Sequence, residues 1–415
     1  MSAPGSGAGE RTGSWWWPAL AMFAVGYGAN QFVPLLVAYR STLGLADAEA
    51  TAVFGVYALG LIPGLLAGGR ASDVHGRRRL MIVFAALSLV ATAVLIAGQW
   101  GVAGLYAGRF LTGVVSGTVF SVGTAWIKEL STDAGPAAGA RRAALALTAG
   151  FGAGPLVAGL LAQWAPAPLT APYLVHLVLA GVALVLLPRA PETRPVVHRQ
   201  APRTRSVPAS AATARFRGVV VPMAPWVFGS VTLVFTTLPA HAIPPGGGLD
   251  LAFPGFLAAG ALVAGAFVQP WGRTLRSALN GAGGAGAGAL GLAVVTTGCL
   301  VAALATARPG LLVAALAAVL LGAGYGVCMI VGLTEVEELA APEELGAVVA
   351  VYYSLTYTGL AAPYLMALAA PSLGYPIALI CLAGAAALTL LAVLLNGRTH
   401  PSSGGKAPAT PTGRE

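Results

Sequence analysis

The chain alternates between long apolar runs and short polar segments along nearly its whole length. A helix that crosses a hydrocarbon layer of about 30 Å needs about 20 consecutive apolar residues, and each run of that length predicts one membrane-spanning helix. The predicted spans 1 to 12 are 15–38, 51–69, 80–99, 102–126, 143–164, 171–187, 219–239, 251–271, 285–305, 309–333, 346–369 and 374–395. The pattern therefore predicts an all-α membrane protein with twelve transmembrane helices.

The longest polar segment between two spans, residues 189–218, divides the spans six and six. It is rich in Arg, Pro, Ser and Thr, a composition typical of a flexible linker. We expect residues 15–188 and 219–395 to form two six-helix bundles, with residues 1–14 and 396–415 as cytoplasmic tails. The basic linker can also contact anionic lipid headgroups, so membrane lipids are expected partners.

The positions of Lys and Arg predict the orientation. If the N-terminus is cytoplasmic, all but three of the 23 Lys and Arg residues lie on the cytoplasmic side; the exceptions are Arg40 and Arg308 in outer loops and Arg109 within span 4. Cytoplasmic loops of membrane proteins carry this excess. We therefore expect a multi-pass protein of the bacterial cytoplasmic membrane with both termini in the cytoplasm.

The composition narrows the function classes. Hydrophobic residues make up 57% of the chain and charged residues 9%, whereas about a quarter of the residues of a soluble domain are charged. The net charge of +9 is dispersed over loops, so nucleic acid is not an expected partner. The Cys and His residues lack metal-ligand spacing, so no metal or cofactor is expected. A polytopic membrane enzyme, the alternative from another class, would need clustered Asp, Glu or His residues.

Charge is concentrated between spans 2 and 3, in the sequence GGRASDVHGRRR at residues 68–79. Glycine permits a tight reversal of the chain there, and the aspartate can pair with a nearby arginine. This segment resembles the motif G-x-L-A-D-R-x-G-R-K that the major facilitator superfamily carries between spans 2 and 3. The matching positions are Gly69, Asp73, Gly76, Arg77 and Arg78.

The resemblance implies the major facilitator fold, a small-molecule substrate and a chain that works as a monomer. It also implies that Asp73 engages the N-terminus of span 11 as a latch between the two halves, where the helix dipole favours a carboxylate. Ala71 and Val74 depart from the motif, and Val74 removes one cationic partner. The alternative is a basic turn that serves only to set the orientation. The turn Pro191-Glu192-Thr193 after span 6 is also similar to one frequent in this family.

Arg109 stands within span 4, where a charge costs roughly 2.5 to 3.5 kcal/mol unless it faces the protein interior or water. The alternative is that its side chain extends to the outer interface. Gly113 and Gly117 follow on the same helix face and allow a neighbouring helix to approach. The sequence from Arg109 to Gly113 resembles the family's R-x-x-x-G motif, which implies a role for the arginine in proton coupling.

Span 5 contains the sequence GFGAGPLVAG at residues 150–159. Gly150 and Gly154 offer a small-residue face, and Pro155 removes one backbone hydrogen bond and bends the helix. Residues 150–159 resemble the G-x-x-x-G-P-x-x-G-G motif of antiporters in this superfamily. Ala158 stands where the motif has the first glycine of its final pair, and Gly159 matches the second. The resemblance implies an antiporter. A symporter, a uniporter or plain helix packing are the alternatives.

A substrate cavity is expected near the middle of the bilayer, between the halves. Aromatic faces with few fixed charges suit hydrophobic, aromatic or weakly cationic solutes, although the same residues could serve ordinary packing. The candidates on spans 1, 7 and 11 are Asn30, Gln31, Phe228, Thr232, Phe235, Tyr353 and Tyr357.

No Asp or Glu stands in the middle of a predicted span. Protons, the expected coupling ion, would therefore bind at a span end, with Asp73, Glu129 and Glu335 as candidates and Arg109 modulating them. The sequence thus predicts a secondary transporter that exports a small hydrophobic drug-like compound or metabolite in exchange for protons. The alternative is a proton-linked or facilitated uptake permease for a small metabolite.

Overall fold

The computed structural model describes residues 14–135, 137–194, 208–244, 246–279, 285–341 and 343–399. Within these residues it contains twelve helical spans long and apolar enough to cross a membrane and no strand. The helices of spans 1 to 6 are Trp16–Asn30 with Phe32–Leu43, Asp47–His75, Arg77–Ala97, Val102–Glu129, Ala138–Trp164 and Ala171–Leu186. Those of spans 7 to 12 are Val221–His241, Ala252–Ala278, Ala285–Ala307, Leu311–Leu339, Leu345–Tyr357 with Ala362–Leu373, and Tyr375–Thr399.

Short helical turns adjoin several spans. They are 3₁₀ turns at Gly98–Trp100, Thr132–Ala134, Leu187–Arg189, Ala209–Ala212 and Thr358–Ala361, and a π turn at Phe216–Val220. The prediction of an all-α fold with twelve spans is confirmed. We call the face from which span 1 starts and at which span 12 ends the inner face, and the opposite one the outer face. Residues 195–207 of the predicted linker, and 1–13 and 400–415 of the predicted tails, lie outside the described residues.

Several helices are longer than the apolar runs that predicted them. Span 2 runs over Asp47–His75 instead of 51–69, because the helix continues past its first polar residues and ends only at a glycine. Gly76 there has φ of 88°, a conformation that a residue with a Cβ resists. Hydrophobicity marks the part of a helix inside the bilayer, whereas local backbone chemistry decides where the helix stops.

Two spans are interrupted, and both interruptions have a proline close by. Span 1 breaks at Gln31, where Pro34 has no N–H to donate to the carbonyl of Asn30. Span 11 breaks at Thr358–Ala361, just before Pro363. Both breaks lie beside the same cavity between the halves, as described below.

Spans 2 and 4 pack closely because glycines face each other across their interface. A Cβ at Gly64 would lie 2.6 Å from the carbonyl oxygen of Val114, and one at Gly117 would lie 2.6 Å from the backbone nitrogen of Leu65. Such distances leave no room for a side chain. The small-residue stripe predicted on span 4 thus contacts span 2, and this close approach brings Arg109 against the backbone of span 2.

Candidate functional site

A small cavity lies between the two halves near the middle of the spans. Its walls come from spans 1, 2, 4 and 5 of the first half and from spans 7, 8 and 11 of the second. It encloses about 30 Å³, room for only about one or two water molecules. A substrate therefore needs the halves to move apart. The lining residues are Asn30, Phe54, Tyr57, Arg109, Phe151, Phe228, Val231, Thr232, Phe235, Leu262, Tyr357 and Leu360.

Aromatic rings form much of this cavity wall. The rings of Phe228 and Tyr357 are stacked with their centroids 4.4 Å apart. Phe54 of the first half meets Phe235 of the second edge to face, at a centroid distance of 6.3 Å. Such ring pairs add to the free energy of apolar burial. The pair of Phe54 and Phe235 also joins the two halves across the cavity.

Of the residues predicted to line a substrate cavity, five come together here: Asn30, Phe228, Thr232, Phe235 and Tyr357. Gln31 and Tyr353 are not among the lining residues. The Gln31 side chain is fully buried, and neither polar atom of its amide has a hydrogen-bond partner among the described residues. Tyr353 lies next to Tyr352, with ring centroids 5.8 Å apart.

Arg109 is the charged residue of the cavity wall. Only 1% of it is exposed, so its guanidinium does not reach the outer interface. Nη1 donates to the carbonyl of Ala29 at 3.0 Å and Nη2 to the carbonyl of Phe54 at 3.3 Å. The guanidinium carbon also lies 4.7 Å from the ring centre of Phe32 and 4.6 Å from that of Tyr57.

These contacts stabilise the positive charge through dipoles and ring faces. No carboxylate pairs with Arg109 among the described residues. Its Nε has no hydrogen-bond partner there either. The central cavity therefore has a positively charged wall.

The charged loop between spans 2 and 3 forms a compact cluster at the inner face. Nη2 of Arg77 lies 2.9 Å from Asp73 and 3.1 Å from Glu129, and Nη1 donates to the hydroxyl of Ser72. The Arg77 side chain is only 6% exposed, so the cluster is shielded from solvent on one side. Asp73 is also 3.9 Å from Arg194.

Of these partners of Asp73, Arg77 belongs to the first half and Arg194 to the segment after span 6. The predicted contact of Asp73 with the N-terminus of span 11 is not among the contacts of the described residues and stays a prediction. Gly69, one turn before Asp73, faces span 4, where an added Cβ would lie 3.2 Å from the hydroxyl of Ser121. The side chain of Arg78 is exposed.

The loop is joined to the chain segment after span 6 through Glu192. Its carboxylate accepts the backbone N–H groups of Arg77 and Arg78, each at 2.9 Å. This caps the start of span 3, where free N–H groups and the helix dipole favour an anion. A Cβ at Gly76 would lie 2.7 Å from Oε2 of Glu192, so the glycine is needed for this contact as well as for its backbone conformation.

The sequence did not reveal the role of Glu192. The Pro-Glu-Thr pattern marked the turn, but nothing in it indicated that the carboxylate caps a helix 115 positions earlier. The neighbouring Thr193 hydroxyl donates to Glu129, and the carbonyl of Pro191 accepts from the indole N–H of Trp126 at 3.0 Å. The turn thus secures the inner ends of spans 3 and 4.

Glu335, a predicted proton-coupling candidate, belongs to a second inner-face cluster in the other half. Nε of Arg215 donates to its Oε2 at 2.9 Å and Nη2 to its Oε1 at 3.1 Å. The two side chains are 5% and 1% exposed. A buried pair with this geometry holds the inner ends of spans 7 and 10 together.

The glycine-rich span 5 contacts both halves. Gly150 and Gly154 lie against span 1, where a Cβ on Gly154 would meet the carbonyl of Tyr27 at 2.5 Å. Further along, Gly159 lies against span 8 of the second half, and a Cβ there would meet the carbonyl of Leu251 at 2.9 Å. Pro155 lies inside the continuous helix, between these two contact regions. Span 5 is therefore part of the interface between the halves.

Comparisons with known proteins identify the family. The model of the Major Facilitator Superfamily matches residues 18–362. The chain is 28% identical over 146 residues to an uncharacterised MFS-type transporter of Methanocaldococcus jannaschii. The matched segment is 35% of this chain and 37% of that protein. The chain is 29% identical over 107 residues to the multidrug resistance protein MdtL of Klebsiella pneumoniae, or 26% of this chain and 27% of that protein. The matched segments thus span well under half the length of these curated relatives.

A solved structure of an auto-inhibited POT family peptide transporter superposes with a TM-score of 0.77, covering 95% of this chain and 99% of that one at 14% identity. This likeness shows the fold. The family match covers most of the chain, and its members are transporters and not enzymes. The prediction made from the loop motif is therefore confirmed: this multi-pass membrane protein belongs to the Major Facilitator Superfamily.

Proposed function

We propose that this protein exports a small hydrophobic drug-like compound or metabolite across the bacterial cytoplasmic membrane in exchange for protons. In this proposal the inner face is cytoplasmic, as the distribution of Lys and Arg favours. The observation that carries it is the aromatic cavity between the halves, with both halves contributing walls. Movement of one half against the other opens such a cavity to alternate sides of the membrane.

The cavity wall favours a substrate with an aromatic or apolar body. Stacked and edge-on rings can sandwich a flat molecule, and the side chains of Asn30 and Thr232 add polar groups that can orient it. Truncation of a ring that contacts substrate removes both apolar area and ring stacking. Phe228→Ala is therefore expected to weaken transport, whereas Phe267→Ala, on the lipid-facing side of span 8 with 65% of the residue exposed, is the matched control.

The charge of the cavity wall disfavours a cationic substrate. Arg109 lies in the wall without a carboxylate partner among the described residues, and in a site with little water a like charge is repelled strongly. We therefore narrow the sequence-based expectation, which included weak cations, to neutral or acidic molecules. An acidic group on the substrate would lie favourably near the guanidinium.

Exchange for protons is supported by span 5. Its Gly-Pro sequence resembles the antiporter motif, and the helix packs tightly against span 1 and span 8, which restricts leakage of ions through the interface. The partial match with MdtL, a multidrug resistance protein, agrees with export. An uptake permease is the alternative, and the direction of transport distinguishes the two.

The test uses inside-out membrane vesicles energised with a proton gradient and a panel of neutral, acidic and basic aromatic compounds. We expect accumulation of neutral or acidic members that an uncoupler abolishes. Arg109→Gln should lose gradient-driven accumulation, while Arg308→Gln, which changes an exposed arginine of an outer loop, should retain it. Accumulation without regard to the gradient, or uptake only by right-side-out vesicles, would overturn the export proposal.

The coupling carboxylate is tested in the same vesicles. Asp73, Glu129 and Glu335 are the candidates, and the charge-neutral variants Asp73→Asn, Glu129→Gln and Glu335→Gln separate them. The variant that still exchanges substrate for substrate but no longer responds to the proton gradient identifies the coupling residue. If all three retain the full response to the gradient, this assignment of coupling is wrong.

A further inference from the structure

The side chain of Gln163 joins the two halves at the outer face. It lies one residue before the end of span 5 in the first half, next to the start of span 8 in the second half. Oε1 of Gln163 accepts from the backbone N–H of Leu251 at 2.9 Å and from that of Ala252 at 3.2 Å. A side chain of one half therefore caps the start of a helix in the other half.

This contact completes the hydrogen bonds at the start of span 8. The first N–H groups of a helix have no partner within the helix itself. Phe253 donates instead to the carbonyl of Leu249 at 2.9 Å, and Pro254 has no N–H group. The N–H groups of Leu251 and Ala252 remain, and the glutamine accepts from both. Because only 1% of Ala252 is exposed, water has little access to replace this acceptor while the halves are in contact.

Spans 5 and 8 touch directly beneath this cap. A Cβ at Gly159 would lie 2.9 Å from the carbonyl oxygen of Leu251, and one at Gly255 would lie 2.5 Å from the carbonyl oxygen of Pro155. The two backbones are therefore in contact along this stretch. Gln163 stands about one helical turn further toward the outer face than Gly159, so the cap closes the outer end of the contact.

A second polar contact between the halves lies at the same face. Asp47, at the start of span 2, accepts from the hydroxyl of Tyr375 at the start of span 12 at 2.6 Å. Its carboxylate also lies 3.0 Å from Nε2 of His241, at the end of span 7. The charged clusters described at the inner face, by contrast, each hold helices of a single half together. The outer face is therefore closed by polar groups that both halves supply.

We propose that Gln163 is a latch that holds the outer face closed. The central cavity between the halves opens to the outer solution only when the halves separate at this end. Separation of spans 5 and 8 breaks both hydrogen bonds of the glutamine and exposes the start of span 8 to water. The cap therefore stabilises the closed arrangement relative to the one that is open to the outside, and its loss shifts the balance toward the open one.

This latch has the same chemistry as the one that the family resemblance implies for the inner face. There Asp73 of the first half is expected to cap span 11 of the second half, whereas Gln163 of the first half caps span 8. The role of Gln163 requires only that the two halves move against each other. It is independent of the substrate, the driving ion and the direction of transport, so its failure and a failure of the export proposal are separate results.

The test measures how fast a cysteine in the central cavity reacts with a membrane-impermeant maleimide applied from the outer side. Val231→Cys supplies the probe, because Val231 lines the cavity and is fully buried. The background carries Cys381→Ser, which removes the exposed cysteine, while Cys299 and Cys328 are buried. A second protein with Ala307→Cys, at the exposed outer end of span 9, supplies the reference rate and shows that the reagent reaches the outer face.

Gln163→Leu keeps nearly the size of the side chain and removes the acceptor. Loss of a helix cap changes an equilibrium constant by about two- to thirtyfold, so the probe rate divided by the reference rate should rise by that factor. Gln99→Leu changes another half-buried glutamine of the outer face and is the matched control, whose ratio should not change. Gln163→Glu retains an acceptor at the helix start, where a carboxylate is favourable, so its ratio should not exceed that of the wild type.

Hydrogen exchange checks that the effect arises at the cap. Gln163→Leu should speed exchange at the amides of Leu251 and Ala252, whereas Gln99→Leu should not. The proposal is overturned if Gln163→Leu reacts no faster than Gln99→Leu, or if Gln163→Glu accelerates the probe as much as Gln163→Leu does. A faster probe without faster exchange at these two amides also overturns it. Gln163→Ala, which lacks the acceptor as well, serves for the same test if the leucine variant does not assemble.

Discussion

The buried pair of Glu335 and Arg215 allows the sharpest prediction about stability. Glu335→Gln removes one negative charge and leaves the shape of the side chain nearly unchanged. Arg215 is 5% exposed and loses the carboxylate to which Nε and Nη2 donate. Breaking one partner of a buried pair costs about 3–5 kcal/mol, because the remaining charge stays in a poorly solvated place. We expect Glu335→Gln to lower the free energy of unfolding by that amount.

The expected loss of stability comes from the unpaired charge of Arg215, and a double variant tests this explanation. Replacing both partners, as Arg215→Met with Glu335→Met, removes the charges together and fills the space with apolar groups. Such replacements are often neutral or stabilising. The double variant should therefore be more stable than either single variant. Glu337→Gln, an exposed acid on the same helix, is the control and should stay within about 0.5 kcal/mol of the wild type.

The assay is thermal unfolding of the purified protein in detergent, followed by tryptophan fluorescence and by size-exclusion chromatography. At about 2 °C per kcal/mol for a large chain, the single variant should unfold about 6–10 °C below the wild type. A midpoint for Glu335→Gln equal to that of Glu337→Gln would refute the reasoning. So would a double variant less stable than both single variants.

Three further predictions follow from the described contacts. Gly150→Ala should impair folding or transport, because its Cβ would collide with the backbone of span 1. Gly152→Ala has open space around the added Cβ and should be tolerated. Expression level and transport in vesicles measure both variants. Glu192→Gln should weaken the cap of span 3 by about 0.5–2 kcal/mol and speed hydrogen exchange at the backbone amides of residues 77 and 78 by about tenfold, whereas unchanged exchange would exclude a capping role. For an aromatic acid and its neutral amide, Arg109→Gln should weaken binding of the acid more than that of the amide, and an equal loss would contradict an electrostatic contact.

The sequence by itself determined the class of the protein and the course of the chain. In a bilayer every backbone polar group must be satisfied within the segment, so long apolar runs can only become helices. The loop motif between spans 2 and 3 was equally readable, since Asp73, Gly76 and Arg77 interact over a few residues of local chain. The family assignment followed from that motif and was confirmed.

Part of the candidate cavity was also readable, because residues one or two turns apart share a helix face. It predicted that Phe228, Thr232 and Phe235 share one face, and all three line the cavity. It could not separate Asn30 from Gln31, which are adjacent in the chain but differ in that only the first lines the cavity. Adjacent residues of a helix point about 100° apart, and only the packing of span 1 against its neighbours decides which of the two faces the cavity.

Only the tertiary structure decided which polar groups of distant spans meet. Glu192 reaches the start of span 3 and Asp47 reaches His241 and Tyr375 because helix packing brings these ends together. Hydrophobic patterns specify how much of each helix is buried but not which neighbour it meets, and a single charged residue at a span end has no local partner that marks its role. The charge of Arg109, which has no carboxylate partner among the described residues, is therefore a property of the packed helices, and the substrate proposal depends on it.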